Sequence, residues 1–465
     1  MNYYILPKNS IEIDIGYTFI KPELAQPYVC QSLEHYLSSV QSQLNNYDMH
    51  TLNRMTMFIN TYEFIYTNVP DTSISVSKIK PESNIFYELI ELFHICNLNE
   101  LLTTKSRITS MHFTPNYNSS CYFLNVIREE RDDIYIHKHF DFDIDIDIDI
   151  DIDIDGDIEQ TSYLSDEHNV DLCSSDFLFF EFNKQDYPDK KNYFTKIIHV
   201  FNLIINYQNI NGISIIKVGH IYHKVIIDIL YLLSGMFDKI YITKPSVSNV
   251  ISSERYIVCK HFIGLNTSYG NYLKETLSAL IHEINNNNYE YVVDSLIHNR
   301  VPYYFINKIE ESNVVIGQHQ LENMMLIVNT LKNKNRDDKI DMMKRNNIQK
   351  SILWCEKYKI PHNKFVDKTN IFLHIKQSNE NMMSSLQETD LEESPEDTEQ
   401  QDSLLDIKDA ELEFGLELKV FLPNELYDQI EIYEEVLVED MDIIIETILD
   451  EHSIQKSVIY NSSHV

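Results

Sequence analysis

Glycine is scarce in this sequence, with nine among 465 residues. Cysteine is also rare, and the six cysteines lie far apart, with no Cys-x-x-Cys pair. This spacing excludes a dense disulfide scaffold and is typical of reduced thiols. We therefore expect a cytoplasmic protein.

Long apolar runs are absent as well. No run reaches the roughly 18 residues that mark a membrane span. The N-terminal stretch MNYYILPKNSIEIDIGY lacks the basic segment and apolar core of a secretory signal. We therefore expect neither a membrane span nor a secretory signal.

Acidic residues are abundant, and the formal net charge is −34. Most of the excess lies in two segments: residues 376–465 hold 25 acidic and 4 basic residues, and residues 141–159 hold 10 acidic and no basic residues. The rest of the chain is close to neutral and is compatible with a nucleic-acid partner. An acidic segment of this kind is also compatible with a basic protein partner.

The stretch DFDIDIDIDIDIDIDGDIE, residues 141–159, is of low complexity. As a strand it would place like charges opposite one another, so we predict a loop insertion that is either disordered or a poorly paired ribbon. The Asp row lacks the carbonyl, Gly and Asn pattern of known calcium loops. His137-x-His139 has no third metal ligand. We therefore predict no metal site.

Apart from this insertion, the middle of the chain alternates between strands and helices. The predicted strands include residues 108–113, 133–140, 212–219, 239–245 and 255–262. The alternation predicts an α/β fold with a mostly parallel sheet. The last two strands are joined without a helix, which predicts an antiparallel hairpin at one edge. In such sheets the ligand lies at the carboxyl ends of the strands.

Composition divides the chain into four parts. We expect an N-terminal region at 1–74, the α/β domain at 75–265 with its insertion at 141–159, and an α-helical extension at 266–375. Residues 376–465 form an acidic tail, largely disordered, that can include one amphipathic helix.

One ordered run of residues resembles a known family. The segments IIKVG, IIDILYLLSGMF, KIYITKP and SVSNVISSERYIVCKHF follow one another over residues 212–262. They resemble the C-terminal half of the FtsJ-like (RrmJ-like) RNA 2′-O-methyltransferases, and the flanking segments resemble viral members. The resemblance extends over roughly 75–365 and implies a Rossmann-like methyltransferase sheet with an antiparallel edge strand.

The resemblance implies a catalytic Lys-Asp-Lys-Glu set. Its last three members fall on Asp176, Lys217 and Glu254, with Asp171 as the alternative to Asp176. Glu88 stands where the first Lys should be. The chemistry requires a lysine that accepts the proton of a ribose hydroxyl and carboxylates that orient it.

The resemblance also implies S-adenosyl-L-methionine as the methyl donor. The donor loop falls on TPNYNSS, residues 114–120, which contains no glycine, so side chains occupy positions where backbone would approach the donor. The residues expected to bind the donor are Thr114, Pro115, Asn116, Asn118 and Asp171.

Two functions follow from these residues. The first is S-adenosylmethionine-dependent methylation of an RNA ribose 2′-hydroxyl, in a cap or in structured RNA. The second is a catalytically inactive methyltransferase-like module that binds RNA or a protein partner. Glu88 and the glycine-free loop 114–120 are the features that separate them.

Overall fold

The computed structural model describes residues 3–9, 13–129, 131–138, 174–182, 186–286, 291–333 and 336–363. All of them belong to one compact unit within Met1–Lys376. The predicted insertion 141–159, the acidic tail 376–465, Asp171 and His139 lie outside the described residues. The predicted domain boundaries therefore stay predictions.

The described part of the chain contains a large sheet and a small one. The strands are β1 (Tyr3–Ile5), β2 (Ile15–Ile20), β3 (Thr109–Phe113), β4 (Ile134–Lys138), β5 (Ser175–Glu181), β6 (Gln208–Val218), β7 (Phe237–Thr243), β8 (Arg255–Phe262) and β9 (Val292–Ile297). The large sheet has the order β4-β3-β5-β6-β8-β7-β1, and β2 pairs with β9 in the small sheet.

Helices cover the large sheet. They are α1 (Gln31–Leu44), α2 (Met49–Ile59), α3 (Ile85–Ile95), α4 (Asn99–Thr103), α5 (Tyr117–Arg128), α6 (Lys190–Tyr207), α7 (Lys224–Met236), α8 (Thr267–Asn286), α9 (Tyr303–Lys332) and α10 (Arg336–Lys357). Two of these helices, α2 and α6, begin directly after an aspartate. The side chain of Asp48 accepts from the amide of Thr51, and that of Asp189 accepts from the amides of Lys191 and Asn192. Both are N-caps, which satisfy amides that the first helical turn leaves unpaired.

The large sheet confirms the predicted α/β class. Neighbours β4/β3, β3/β5 and β5/β6 run parallel, and β7 points the same way. Strand β8 runs antiparallel between β6 and β7, and β1 adds an antiparallel strand at the outer edge. The predicted β7–β8 pairing is therefore confirmed, although the outermost strand is β1 from the N-terminal region.

The two faces of the sheet bury separate apolar cores. Along β5, Leu178 and Phe180 pack toward the core that contains α6 and α7, whereas Phe177 and Phe179 pack toward the core that contains α3 and α5. This is the period of two that a strand covered on both faces must have. The same alternation decides which polar side chains at the strand ends can meet.

No helix among the described residues is both long enough and apolar enough to cross a membrane.

Candidate active site

The candidate site lies at the carboxyl ends of β5 and β6. Glu181 is the last residue of β5, and its register partner in the parallel strand β6 is Lys217. Tyr256 of β8 lies opposite Lys217 on the other side, and Glu254 precedes it by two residues. Alternation along these strands therefore puts Glu181, Lys217 and Glu254 on the face that α3 covers.

One amine meets three carboxylates at this point. Lys217 Nζ lies 3.2 Å from Glu88 Oε2 of α3, 3.2 Å from Glu181 Oε1 and 3.9 Å from Glu254 Oε2. The four side chains are buried, each no more than 10% exposed. We call these four residues the Lys217 cluster.

Two hydrogen bonds hold Glu88 in the cluster. The Tyr256 hydroxyl donates to Glu88 Oε2, and Asn84 Nδ2 donates to Glu88 Oε1 at 3.0 Å. The Lys217 ammonium also lies 5.7 Å from the centre of the Tyr256 ring. Glu88 is therefore a fixed member of the cluster.

The cluster sets the protonation of Lys217. Burial lowers the pKa of the Lys217 amine, but Glu88, Tyr256, Glu181 and Glu254 raise it and together outweigh the burial. The net result is a pKa well above the ordinary lysine value, so Lys217 is an ammonium at neutral pH. Lys217 therefore carries a proton at neutral pH, and it would have to lose that proton before it could act as a catalytic base.

A second buried lysine shows the opposite behaviour. Lys244 follows β7, and its ammonium donates to the carbonyl of Ser252. Burial and the Arg255 guanidinium lower the pKa of Lys244 to about 7, while Glu254 and Glu88 act in the other direction. The difference from Lys217 is that the described residues give Lys244 no carboxylate within ion-pair distance.

The structure does not bring Asp176 to the Lys217 cluster, so the predicted convergence of Asp176 with Lys217 and Glu254 is wrong. Asp176 is the second residue of β5 and lies at the opposite end of that strand from Glu181. It forms an ion pair with Lys105 at 2.6 Å and accepts from the amide of Thr109 at 3.1 Å. The alternative, Asp171, lies outside the described residues.

Glu181 is the acid that sequence analysis missed. The resemblance assigned the acid to the start of the strand SDFLFFE, whereas a parallel strand presents its ligand-facing residues at its end. The run FLFF places Glu181 on the same face as Phe177 and Phe179. That alternation, continued for two residues, was the signal for Glu181.

The predicted donor loop reaches the cluster with two of its side chains. Thr114 Oγ1 donates to Glu181 Oε2 at 2.5 Å, and Asn116 Nδ2 donates to the same oxygen at 2.9 Å. Pro115 is exposed, and Asn118 donates to Glu82 Oε1 at 2.9 Å on the surface. Only Thr114 and Asn116 of the four described donor-loop residues therefore face the cluster.

The loop lies at a position where open α/β sheets bind ligands. The loop follows β3, whose neighbours are β4 on one side and β5 on the other, so it lies where the strand order reverses. Asn116 precedes α5 without capping its amides, which leaves the start of that helix able to bind an anionic group. The ring of Tyr117 stacks on the ring of His137, with 4.4 Å between the ring centres, and the two rings narrow the space at the start of α5.

No three metal-ligating side chains come together within the described ranges in a way that could hold a metal ion. His137 instead contacts the carbonyl of Thr114 at 3.1 Å through Nε2. Its neighbour in the sequence motif, His139, lies outside those ranges.

Comparison with known proteins locates the similarity in the central part of the chain. The model of the FtsJ-like methyltransferase family matches residues 125–262. The chain is 29% identical over 113 residues to the cap-specific mRNA (nucleoside-2′-O-)-methyltransferase 1 of Dictyostelium discoideum, which is 24% of this chain and 14% of that protein.

A solved structure is also similar. It is the crystal structure of a ribosomal RNA methyltransferase from Plasmodium falciparum, at 19% identity and a TM-score of 0.28, covering 39% of this chain and 99% of that chain.

The family match includes three members of the Lys217 cluster and excludes the fourth. Glu181, Lys217 and Glu254 lie within residues 125–262, whereas Glu88 and the loop 114–120 precede them. Strands β6, β7 and β8, with β8 in the middle, lie in this segment, as do Lys217 and the two acids Glu181 and Glu254. The chain therefore contains a segment, residues 125–262, that matches the FtsJ-like methyltransferase family.

Proposed function

We propose that this domain is an RNA ribose 2′-O-methyltransferase in which Lys217 accepts the proton of the ribose hydroxyl. The observation that carries the proposal is the placement of Lys217 between Glu181 and Glu254 at the carboxyl ends of neighbouring strands. The family match and the name of the Dictyostelium relative support the substrate class.

Each member of the cluster has a task in this proposal. A ribose hydroxyl attacks well only while its proton leaves, so a lysine at the reacting oxygen contributes general base catalysis. Glu181 takes the role that the sequence assigned to Asp176 and orients the amine, and Glu254 holds it from the β8 side. Lys217 must first release its own proton, so the reaction should accelerate as pH rises.

The loop 114–120 would hold the methyl donor. S-adenosylmethionine carries an activated sulfonium and supplies the methyl group when bound. Thr114, Asn116 and the first turn of α5 would hold it. Thr114 and Asn116 would then exchange their hydrogen bonds with Glu181 for contacts with the ligand.

The experiment is transfer of a labelled methyl group from S-adenosylmethionine to RNA over a pH series. Arginine keeps a positive charge among the carboxylates but cannot lose its proton, so Lys217→Arg separates charge from basicity. Transfer by the wild type, rising with pH and abolished in Lys217→Arg, would support the proposal. Lys105→Arg, at the other end of β5, is the matched control and should retain transfer.

A second candidate function is an RNA-binding module without methyl transfer. The observation that favours it is Glu88, which replaces the first Lys of the family pattern with a carboxylate 3.2 Å from Lys217. A neighbouring cation lowers a lysine pKa, and a carboxylate raises it. Calorimetric titration with S-adenosylmethionine decides between the candidates, because absence of binding leaves only the second.

We propose binding partners for this chain from the distribution of its charge. RNA is the partner in either candidate, and the acidic segment 376–465 is suited to a basic protein. If the acidic segments repel RNA, then removing 141–159 and 376–465 should tighten RNA binding at low salt. Filter binding at two salt concentrations tests this, and unchanged binding after removal would favour the basic protein partner.

A further inference from the structure

A cavity of about 620 Å³ lies beside the Lys217 cluster and shares no lining residue with it. Its walls come from α3, the loop between β7 and β8, and helices α9 and α10. Helices α9 and α10 lie outside the residues that match the family. A cavity of this size holds a ligand of up to drug size.

The cavity is lined by more positive than negative charge. Lys244 lines it from the β7–β8 loop, and Lys350 and Lys357 line it from α10. The two α10 lysines are seven residues apart, so they lie on one face of the helix, and both are exposed. An anion could therefore reach the ammonium groups of Lys350 and Lys357 from solvent, with Lys244 also in the lining.

Glu91, the acidic residue in the lining, already accepts hydrogen bonds from the loop between β7 and β8. Glu91 is 3% exposed, accepts from the hydroxyl of Ser246 at 2.7 Å and accepts from the amide of Val247 at 3.3 Å. Its pKa is raised, chiefly by burial. Glu91 therefore fixes the β7–β8 loop and is not free to bind a cation in the cavity.

Aromatic rings line the cavity beside the lysines. Trp354, the single tryptophan of the chain, lines the cavity together with Tyr62 and Tyr358. The ring centres of Trp354 and Tyr358 are 4.5 Å apart, and the Lys357 ammonium lies 4.9 Å from the Tyr358 ring. Leu353 also lines the cavity and is 62% exposed, although it is apolar.

The lining contains two buried polar groups that lack a hydrogen bond among the described residues, the hydroxyl of Ser248 and the indole nitrogen of Trp354. Ser248 is 5% exposed, and its hydroxyl has no partner within hydrogen-bond distance. A buried hydroxyl without a hydrogen bond is unfavourable, so such a group indicates a ligand or water that it binds. It is an observation separate from the lysines.

We propose that this cavity binds a phosphorylated nucleotide, with Lys350 and Lys357 at the phosphates and the aromatic wall against the base. A nucleotide combines a flat base with an anionic group, which are the two chemistries of this lining. The phosphate could belong to a free nucleotide or to the 5′ end of an RNA. The proposal does not depend on methyl transfer.

Lys244 connects the cavity to the catalytic side. It lines the cavity, and its amine also interacts electrostatically with Glu254, Glu88 and Lys217. An anion in the cavity favours the charged form of Lys244. This link, unlike the binding of a nucleotide itself, rests on the proposed function: in the proposed methyl transfer the cavity would hold part of a substrate whose reacting ribose lies at Lys217.

The fluorescence of Trp354 offers a direct test on the full-length protein, because the chain has no other tryptophan. The probes are ATP, adenosine and inorganic phosphate, followed by one RNA sequence with a 5′-phosphate or a 5′-hydroxyl. ATP or the 5′-phosphorylated RNA should change the fluorescence saturably. Adenosine, phosphate and the 5′-hydroxyl RNA should bind at least about tenfold more weakly, the equivalent of one lost charged contact.

Charge reversal supplies the control. Lys350→Glu and Lys357→Glu should each weaken binding at least about tenfold, whereas Lys339→Glu, an exposed α10 lysine outside the lining, should change it less than about twofold. Binding of ATP alone identifies a free nucleotide, and binding of the 5′-phosphorylated RNA alone identifies an RNA end. The proposal is overturned if no phosphorylated probe binds, or if the three variants bind equally.

Discussion

Strand β5 has an acid–lysine pair at each end, and the two pairs differ in their surroundings. At its start, Asp176 pairs with Lys105, whose side chain is 36% exposed, and the amides of Thr109 and Asn209 complete the contact. At its end, Glu181 pairs with Lys217, which is 6% exposed and also meets Glu88 and Glu254.

Strand direction, more than residue type, decides which of the two pairs lies at the candidate active site. Both pairs consist of a carboxylate and an amine, but only the carboxyl end of β5 adjoins the end of β6, the start of β8 and the loop after β3. The start of β8 supplies Glu254, and the loop after β3 supplies the side chains of Thr114 and Asn116. Helix α3 adds Glu88 above the same end. The pair at the start of β5 has no such neighbours among the described residues.

The largest expected effect comes from removing the charge of Lys217. Lys217→Met leaves three buried carboxylates without their cation, and breaking a buried ion pair in this way costs about 3–5 kcal/mol of unfolding free energy. Denaturant unfolding measures it. A cost below about 1 kcal/mol, the range of an exposed pair, would mean that the two ends of β5 are equivalent.

The two acids of β5 should differ in their effect on methyl transfer. Glu181→Gln removes the carboxylate that orients the base and should lower the rate about a hundredfold, within the range of a lost acid–base group. Asp176→Asn should change the rate of methyl transfer by less than about twofold, because Asp176 lies at the far end of the strand. The reverse order of the two rates would restore Asp176 as the catalytic acid.

The pH dependence should shift when one carboxylate is removed. The folded pKa of Lys217 is raised, so its contribution to stability is present at neutral pH and is lost only as pH rises through that raised value. Glu88→Gln should lower the pKa of Lys217 and move the rise of the rate to lower pH by about one unit.

Glu254→Gln is the matched control for Glu88→Gln. It should shift the profile less, because Glu254 lies 3.9 Å from the amine and Glu88 lies 3.2 Å from it. Rate profiles of both variants across the alkaline range check this order. Equal profiles for the wild type and Glu88→Gln would show that Glu88 does not control the proton.

The smallest expected effect is at the start of β5. Lys105→Met removes an ion pair with a partly exposed lysine and should cost about 0–1 kcal/mol of unfolding free energy. The same denaturant measurement used for Lys217→Met gives the value. A cost comparable to that of Lys217→Met would show that exposure does not explain the contrast.

Sequence reasoning predicted what depends on local pattern. The strands, the helices between them, and the meeting of Lys217 with Glu254 follow from alternation and from the resemblance. It missed the place of β8 between β6 and β7 and the pairing of β1 with β7, because strand order is set by contacts far apart in the chain. The cavity at α9 and α10 was missed for the same reason.

Asp176 shows how a resemblance can point to the wrong end of a strand. If Asp176, which the resemblance assigns to the catalytic set, stood at the end of its strand, that strand would end where β5 begins, at Ser175. The apolar run FLFF that follows is fully buried and is the strand itself. A strand must be delimited by its buried run before an acid is assigned to its end.

The protonation of Lys217 tests the central claim most directly. Lysine labelled with ¹³C at Cε, with its resonance assigned by loss of the signal in Lys217→Arg, reports the charge of this amine during a pH titration. We predict that Lys217 remains an ammonium above pH 10.4, about where an ordinary lysine is half deprotonated, and that Glu88→Gln lowers its midpoint. Deprotonation of wild-type Lys217 near neutral pH would contradict the account, because the three carboxylates would then not hold the proton.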